Sequence, residues 1–268
     1  MSQDPNAKTN GEIFRLEALY PDAKHLFTAE FQSITSIKND CVVVLDTNVL
    51  ISLYEQETEA PLGDCDRIYG ELIEQGRLIV PERVAREFVN LRSKKLTELY
   101  ETVRKSKLAS LGYMTYPILS ALVEKEIAVT RQEANDSIGR YNASIDSVLA
   151  AIAGWHWDDP VSSLYRKHFR SDVIPSLEMT SEEIRKELES RLQRKAPLPG
   201  REDQRKPDMG IGDLLIWLSI LKIGREQGRH LLFVSNERKD DWWHRSAEGP
   251  LYVRFELLDE YWRASQGK

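Results

Sequence analysis

The sequence predicts an α/β protein with a parallel sheet and a large helical insertion. Three observations support this fold class. The run from Cys41 to Leu45 is apolar and β-branched without alternation, which is typical of a strand buried on both faces. Helical patterns then alternate with further short apolar runs. Between about 96 and 200 the chain is charged and helical in its spacing, with no convincing strand.

The first half of the pattern follows strand–helix–strand–helix order. We expect a strand at about 42–46, then a helix carrying Ile68, Leu72 and Ile73 that stops at Gly76. Leu78 to Val80 is a short second strand. Pro81 should open the next helix, because the first helical position does not use the missing N–H. This helix is expected to run towards residue 112.

The second half returns to the sheet after the insertion. Residues 126–153 have helical spacing, and Thr180 with the acids that follow predicts another helix start. A linker of Pro, Gly and charged residues covers 196–210. We expect Asp213 to open an apolar helix ending near Gly228, strands at 230–235 and 251–255, and a terminal helical turn. The predicted organisation is a partly disordered lead-in at 1–40 and a domain at 41–262, with its insertion at about 96–200.

Composition narrows the function classes. The chain has 268 residues, 41% hydrophobic and 30% charged, which is ordinary for a globular protein. Its formal net charge of −6 means that only local basic patches would attract nucleic acid. Two cysteines exclude a disulfide framework. No apolar run approaches the roughly 20 residues of a membrane span, so we expect no membrane association and a cytoplasmic location.

Four acidic residues fall where a parallel sheet would bring them together. Asp46 ends the first strand, Glu87 lies early in the helix after the second, Asp213 begins a later helix, and Glu237 follows a late strand. Such positions face one crevice at the carboxyl edge of the sheet. Clustered carboxylates repel one another unless cations neutralise them. Oxygen ligands favour Mg²⁺ or Mn²⁺, which activates water for phosphodiester cleavage.

These residues resemble the motifs of the PIN-domain nucleases. The matching segments are Asp46-Thr47-Asn48, Val84 with Glu87-Phe88, Gly212-Asp213 and Ser235-Asn236-Glu237. The ending Asp240-Asp241-Trp242-Trp243 is similar to a larger subgroup in which a helical insertion precedes the third acid. The resemblance covers about 41–260 and implies a Rossmann-like, three-layer fold.

The resemblance also implies a chemistry. It assigns metal binding and catalysis to Asp46, Glu87, Asp213 and Glu237, with support from Thr47, Asn48, Ser235, Asn236 and Asp241. Two positions depart from the family pattern: Asp is more usual than Glu237, and the subgroup often has another Asp in place of Asn236. The implied activity is Mg²⁺- or Mn²⁺-dependent endonucleolytic hydrolysis, usually of RNA, with DNA as the other substrate. Family members often resemble toxins or defence effectors with a regulatory partner protein, and PIN folds commonly form homodimers.

One group of basic residues is a candidate for contact with the substrate. Arg201, Arg205 and Lys206 lead directly into the segment that carries Asp213, so this group is predicted to bind nucleic-acid phosphates. Other Lys and Arg runs are more typical of solvated helix faces balanced by Glu.

Two other functions fit part of the pattern. A degenerate nuclease fold could serve as a nucleic-acid or protein-binding module, which the departures at Asn236 and Glu237 would suit. A phosphatase of the haloacid-dehalogenase type also begins with Asp at the end of a buried strand, but it normally has a second Asp where this chain has Asn48. Asp46 and Asp213 could also be helix caps or favour helix N-termini, roles that suit Asp.

Overall fold

The structure is a computed structural model that describes residues 13–28, 30–55, 60–112, 121–200, 203–205 and 208–268. The chain divides into two compact units. The first contains the described residues up to Val89 together with Tyr165–Lys268, and the second is Asn90–Leu164. All three strands of the parallel sheet and all four candidate acids lie in the first unit.

A three-stranded parallel sheet forms the centre of the first unit. Its strands are β1 (Val42–Leu45), β2 (Leu78–Ile79) and β3 (Leu231–Val234), in the order β2-β1-β3. The register pairs Val44 with Ile79 on one side and with Phe233 on the other. Every residue of β1 is buried, as its unbroken β-branched sequence predicts for a central strand. The predicted α/β fold with a parallel sheet is therefore confirmed.

Short helices precede the sheet and pack against the end of the chain. They are α1 (Arg15–Leu19), a 3-10 turn at His25–Phe27, and α2 (Ile34–Ile37). Tyr20 and Phe31 place their rings 6.0 and 5.9 Å from that of Phe255, and His25 lies 4.9 Å from Trp262. The described part of the lead-in therefore contacts Phe255 and Trp262. The predicted disorder of the lead-in falls partly on residues 1–12, which lie outside the described residues.

Two helices separate β1 from β2, and a third follows β2. The short α3 (Thr47–Ser52) comes directly after β1, and α4 (Ala60–Glu74) leads to β2. Gly76 has φ of +61°, a left-handed conformation that suits glycine after a helix end. The helix after Pro81 is α5 (Glu82–Lys105), which ends before the predicted limit of residue 112. Val84 and Phe88 are buried on α5.

The second unit is helical. It contains the later part of α5, all of α6 (Ala121–Gly154) and the beginning of α7 (Pro160–His168). Arg92 on α5 forms a buried ion pair with Asp159 at 2.6 Å and also donates to Ser162. The Trp157 ring lies 4.4 Å from the Arg92 guanidinium. A buried charge needs such partners, so this cluster fixes the middle of α5 against the start of α7.

The chain after the second unit completes the sheet-containing unit. It includes α8 (Ser181–Gln193), a 3-10 turn at Asp203–Arg205, α9 (Ile211–Gln227) and α10 (Phe255–Ala264). Thr180 and Glu183 form a capping box at the start of α8, where the sequence predicts a helix start. The apolar α9 is buried along most of its length and ends at Gly228 in the left-handed conformation. The predicted insertion of about 96–200 thus overlaps the second unit, while 165–200 groups with the sheet.

One strand prediction needs correction. The predicted strand at 251–255 does not join the parallel sheet. It is β5 (Gly249–Val253), paired antiparallel with β4 (Trp243–Ser246), and Phe255 already belongs to α10. β4 has no apolar alternation, and the hairpin is irregular between His244 and Arg245. In the part of the chain that the structure describes, no helix meets the length and hydropathy of a membrane span.

Candidate active site

Asp46 lies where β1 passes into α3. Its Oδ1 accepts a hydrogen bond of 2.7 Å from the Thr47 backbone N–H, so the carboxylate caps α3. Its Oδ2 accepts one of 2.6 Å from the Ser235 hydroxyl. The cap role and a ligand role thus use the same side chain, and the first does not exclude the second.

The pKa of Asp46 is raised. Burial is the main cause, and it outweighs the hydrogen bonds from Ser235 and Thr47, which lower the pKa. The negative charges of Glu87 and Glu237 raise it further. Three of the predicted acids therefore lie close enough to repel one another, which is the electrostatic property expected of a cation site.

Ser235 joins the loop after β3 to the beginning of α3. Besides donating to Asp46, its hydroxyl oxygen accepts from the Asn48 amide at 3.2 Å and from the Glu237 backbone N–H at 2.9 Å. The side-chain amide oxygen of Asn48 accepts a hydrogen bond of 2.9 Å from the Asn236 backbone N–H. Ser235 therefore orients the Asp46 carboxylate and binds the backbone of Glu237, while Asn48 binds Ser235 and the backbone of Asn236.

Glu87 is positioned from two sides. Its Oε2 accepts a 2.6 Å hydrogen bond from the Thr47 hydroxyl, and its Oε1 accepts one of the same length from Arg83. Arg83 also reaches Asp208 at 3.4 Å. The adjacent residues Asp46 and Thr47 thus connect β1 to α5 and to the loop after β3. Sequence reasoning missed Arg83, although its spacing of four residues before Glu87 is a helical ion-pair signal.

Lys239 bridges the other two predicted acids. Its ammonium lies 3.4 Å from Asp213 Oδ2 and 3.0 Å from Glu237 Oε2. The second Glu237 oxygen accepts from the backbone N–H groups of Arg238 and Lys239 at 2.8 and 3.0 Å. The longer Glu237 side chain therefore reaches the site while its loop holds it in place. Lys239 is the second site residue that the motif analysis did not assign.

The donor set suits a hard divalent cation. It consists of the carboxylates of Asp46, Glu87, Asp213 and Glu237, with hydroxyl and amide oxygens beside them. Within the described residues, no three His, Cys, Asp or Glu side chains are already grouped as a metal site. Arg83 instead forms an ion pair with Glu87, and Lys239 forms ion pairs with both Asp213 and Glu237. The residues fit a cation by ligand type and by the sheet edge that they share.

The remaining predicted site residues are placed as follows. Arg205 is exposed on its 3-10 turn, whereas Arg201 and Lys206 lie outside the described residues. Asp241 is buried against Gly200, where a Cβ would overlap its carboxylate. Trp242 is buried and its ring lies 5.0 Å from that of Phe233, and the Trp243 ring N–H donates to the Glu237 carbonyl. Both tryptophans thus support the loop that carries Glu237.

Gly212, in the first turn of α9, offers a test of the site geometry. A Cβ there would lie 2.7 Å from Glu87 Oε1 and 3.0 Å from an Arg83 nitrogen. Both atoms are side-chain ends, so we expect Gly212→Ala to shift the Glu87 carboxylate while the fold persists. If the site has the nuclease activity that the resemblance implies, a displacement of about 1 Å would lower that activity on the order of 100-fold. Cleavage rate and thermal unfolding should be measured on the same preparation.

Gly139→Ala is the matched control for this change. Gly139 is a helical residue on α6, and a Cβ there meets nothing within 4 Å. The control should gain up to about 1 kcal/mol in stability from helix propensity and keep full activity. Equal activity of the two variants would show that Gly212 does not set the position of Glu87.

Comparison with known proteins identifies the family. A family model described as a PIN like domain matches residues 42–257. No curated protein and no solved structure matches the chain significantly. The matched range contains all four candidate acids, whereas the ending Asp240-Asp241-Trp242-Trp243 remains a prediction as a subgroup signature. Because the match extends over well more than half of the 268 residues, the chain belongs to the PIN-like domain family.

Proposed function

We propose that this protein is a metal-dependent endonuclease that hydrolyses phosphodiester bonds, with single-stranded RNA as its favoured substrate. The observation that carries the proposal is the approach of Glu87 and Glu237 to Asp46. Thr47, the residue next to Asp46, donates to Glu87 at 2.6 Å, and the Ser235 hydroxyl donates to Asp46 at 2.6 Å and accepts from the Glu237 backbone N–H at 2.9 Å. The carboxyl edge of a parallel sheet is where open α/β folds bind their ligands, and clustered carboxylates at this edge need a cation before a phosphate can approach them. Membership in a family of nuclease-type folds supports the same reading.

Each site residue has a role in this proposal. Asp46, Glu87, Asp213 and Glu237 would hold one or two Mg²⁺ or Mn²⁺ ions, which supply water activation and neutralise charge on the phosphate. Thr47 and Ser235 fix the carboxylates of Glu87 and Asp46 by direct hydrogen bonds. Arg83 holds Glu87 from the other side. The Lys239 ammonium lies between Asp213 and Glu237, where its charge would also stabilise an anionic phosphate.

The biological setting is a further part of the proposal. We infer a cytoplasmic enzyme that acts as a toxin or defence effector, as a homodimer or under the control of a partner protein. The support for this setting is the resemblance to PIN nucleases, and the chemistry does not depend on it.

A cleavage assay tests the proposed activity. The purified chain is incubated with end-labelled single-stranded RNA, single-stranded DNA and the matching duplexes, with Mn²⁺, with Mg²⁺ and with chelator. We expect internal cleavage of single-stranded RNA that requires the cation and leaves a 5′-phosphate and a 3′-hydroxyl. The small phosphomonoester p-nitrophenyl phosphate should not be hydrolysed, which separates this function from the phosphatase alternative.

The contrary outcomes are equally clear. Cleavage that persists in excess chelator would contradict the metal requirement. Tight strand binding with no cleavage under any cation would favour the degenerate binding module. Preferential cleavage of DNA would retain the nuclease assignment and overturn the preference for RNA.

A further inference from the structure

A cleft in the sheet-containing unit adjoins the acidic site. Its volume is about 1030 Å³, and Glu237 and Lys239 form part of its lining. The other lining residues come from α1, from the end of α8 and the loop after it, from the 3-10 turn at Asp203–Arg205, from the loop after β3, from the hairpin and from the start of α10. The cleft therefore begins at the candidate cation site and extends away from it.

The charge of the cleft opposes that of the whole chain. Among the described residues, its lining contains eight Lys or Arg residues and four Asp or Glu residues, although the chain carries a formal net charge of −6. Such a local excess of positive charge raises the concentration of anions at the surface. The cleft thus has the electrostatic property of an anion-binding site.

Internal ion pairs account for only part of this positive charge. Arg191 is committed to Glu260 at 2.7 Å, and Arg245 lies 3.6 Å from Asp240. By contrast, Arg15, Arg205 and Arg238 form no ion pair with any residue that the structure describes. All three are exposed. These three residues come from distant parts of the sequence and line the same cleft.

The lining also indicates what is not recognised. No aromatic side chain is among the cleft residues in the described part of the chain. Proteins that bind single strands through their bases stack them on aromatic rings. Guanidinium and ammonium groups without such rings contact phosphates, which position a strand and carry no sequence information.

We propose that this cleft binds the backbone phosphates of the nucleic-acid strand next to the bond that is cut, with no preference among bases. The choice of a nucleic acid as the anion rests on the proposed function, because the cleft shares Glu237 and Lys239 with that site. Arg15 extends the binding surface beyond the family domain, since residue 15 precedes the matched range of 42–257.

The test measures binding without cleavage. Fluorescence anisotropy with labelled single-stranded RNA is recorded in chelator over a range of salt concentrations, for the wild type and for the double variant Arg205→Gln, Arg238→Gln. Each phosphate contact on a single strand contributes about 0.7 to the salt slope, so the variant slope should be shallower by about 1.4. Affinity at low salt should fall about tenfold or more, and Arg15→Gln should lower it further.

Matched variants control for net charge and for folding. Arg225 lies in the last turn of α9, is exposed and is not part of the cleft lining. Arg225→Gln should leave both affinity and slope unchanged. The double variant Arg205→Lys, Arg238→Lys retains the positive charges and should recover most of the binding.

Several outcomes would overturn the proposal. One is an equal loss of affinity in Arg225→Gln and in the cleft variant. Another is competition by polyglutamate as effective as that by RNA of equal charge, which would indicate an acidic protein ligand. A clear preference between poly(U) and poly(A) would contradict the base-independent reading. Failure of the nuclease proposal looks different, because a wild-type chain that binds strands through this cleft but never cuts them would lose only the catalytic assignment.

Discussion

Asp46→Asn should remove the proposed cation-dependent cleavage almost completely while gaining stability relative to the wild type as the pH rises from the acidic range to neutrality. The activity should fall by at least about 100-fold, since an outer partner of a metal ligand already contributes 10- to 100-fold. The amide keeps the size of the carboxylate, but its single oxygen can accept from only one of the two donors, the Thr47 backbone N–H or the Ser235 hydroxyl. What it loses is the negative charge that a divalent ion would need.

The stability gain follows from the raised pKa of Asp46. Burial is the main cause of that shift, so the folded state holds the proton of Asp46 more tightly than the unfolded state does. The ionised carboxylate therefore destabilises the fold, fully above its folded pKa and not at all below the ordinary pKa of an unfolded Asp. Relative to the wild type, Asp46→Asn should accordingly gain stability as the pH rises from the acidic range to pH 7.

Two measurements check this prediction together. Chemical unfolding from pH 4 to pH 8 compares the wild type with Asp46→Asn and with Asp64→Asn, a change at an exposed residue. Addition of Mn²⁺ in the same experiment should stabilise the wild type and the control but not Asp46→Asn, because a ligand stabilises only the state that binds it. If Asp46→Asn cut the substrate at the wild-type rate, or if Mn²⁺ stabilised it as much as it stabilises the wild type, the assignment of Asp46 as a metal ligand would be wrong.

The second prediction with a large expected effect concerns the buried ion pair between Arg191 and Glu260, which stabilises the fold around the site. Arg191 is fully buried, pairs with both oxygens of Glu260 at 2.7 and 2.8 Å, and donates to the Leu198 carbonyl. Trp217 donates to the same Glu260 carboxylate. Burial pushes the pKa of Glu260 upward, but Arg191 and Trp217 hold it below its usual value. This cluster joins α8, α9 and α10.

Arg191→Met should destabilise the protein by about 3–5 kcal/mol, because it leaves the Glu260 charge buried without its main partner. For a domain of this size the melting temperature should fall on the order of 10 °C. The measurement is thermal and urea unfolding. Arg185→Met, an exposed change on the same helix, is the control and should shift stability by less than about 0.5 kcal/mol.

A double variant distinguishes loss of the pair from loss of packing. Arg191→Met with Glu260→Gln removes both charges, and it should recover part of the stability because no unpaired ion remains. Stability of Arg191→Met equal to that of Arg185→Met would contradict the importance of the buried pair. So would a double variant whose loss equals the sum of the single losses.

Much of the sheet and its edge could be predicted from local sequence. Three features depend only on residues that are close together in the sequence. They are the buried strand before Asp46, the helix end at Gly76 and the capping box at Thr180. The four acids could be placed because the ends of parallel strands face one edge. Their positions relative to strands and helix starts were sufficient for that step.

The partners of these acids could not be predicted in the same way. Lys239 bridges Asp213 and Glu237 because α9 and the loop after β3 meet in space, a contact between residues 26 positions apart. The hairpin escaped prediction because β4 is polar and exposed, so it carries no burial pattern. The packing of Tyr20 and Phe31 on Phe255 joins the two ends of the chain, and no local signal reports it.

The hydrogen bond between Asp46 and Ser235 closes a loop of 189 positions. A ribosome releases Asp46 and Glu87 long before it synthesises β3, the loop with Glu237, or Lys239. During that interval Asp46 lacks the hydroxyl that orients it, and the strand that completes the sheet has not arrived. Domains form as units once their chain is complete. Synthesis order therefore delays assembly of the proposed cation site until β3 and the loop after it have emerged, so an activity that depends on this site would be absent from the shorter nascent chain.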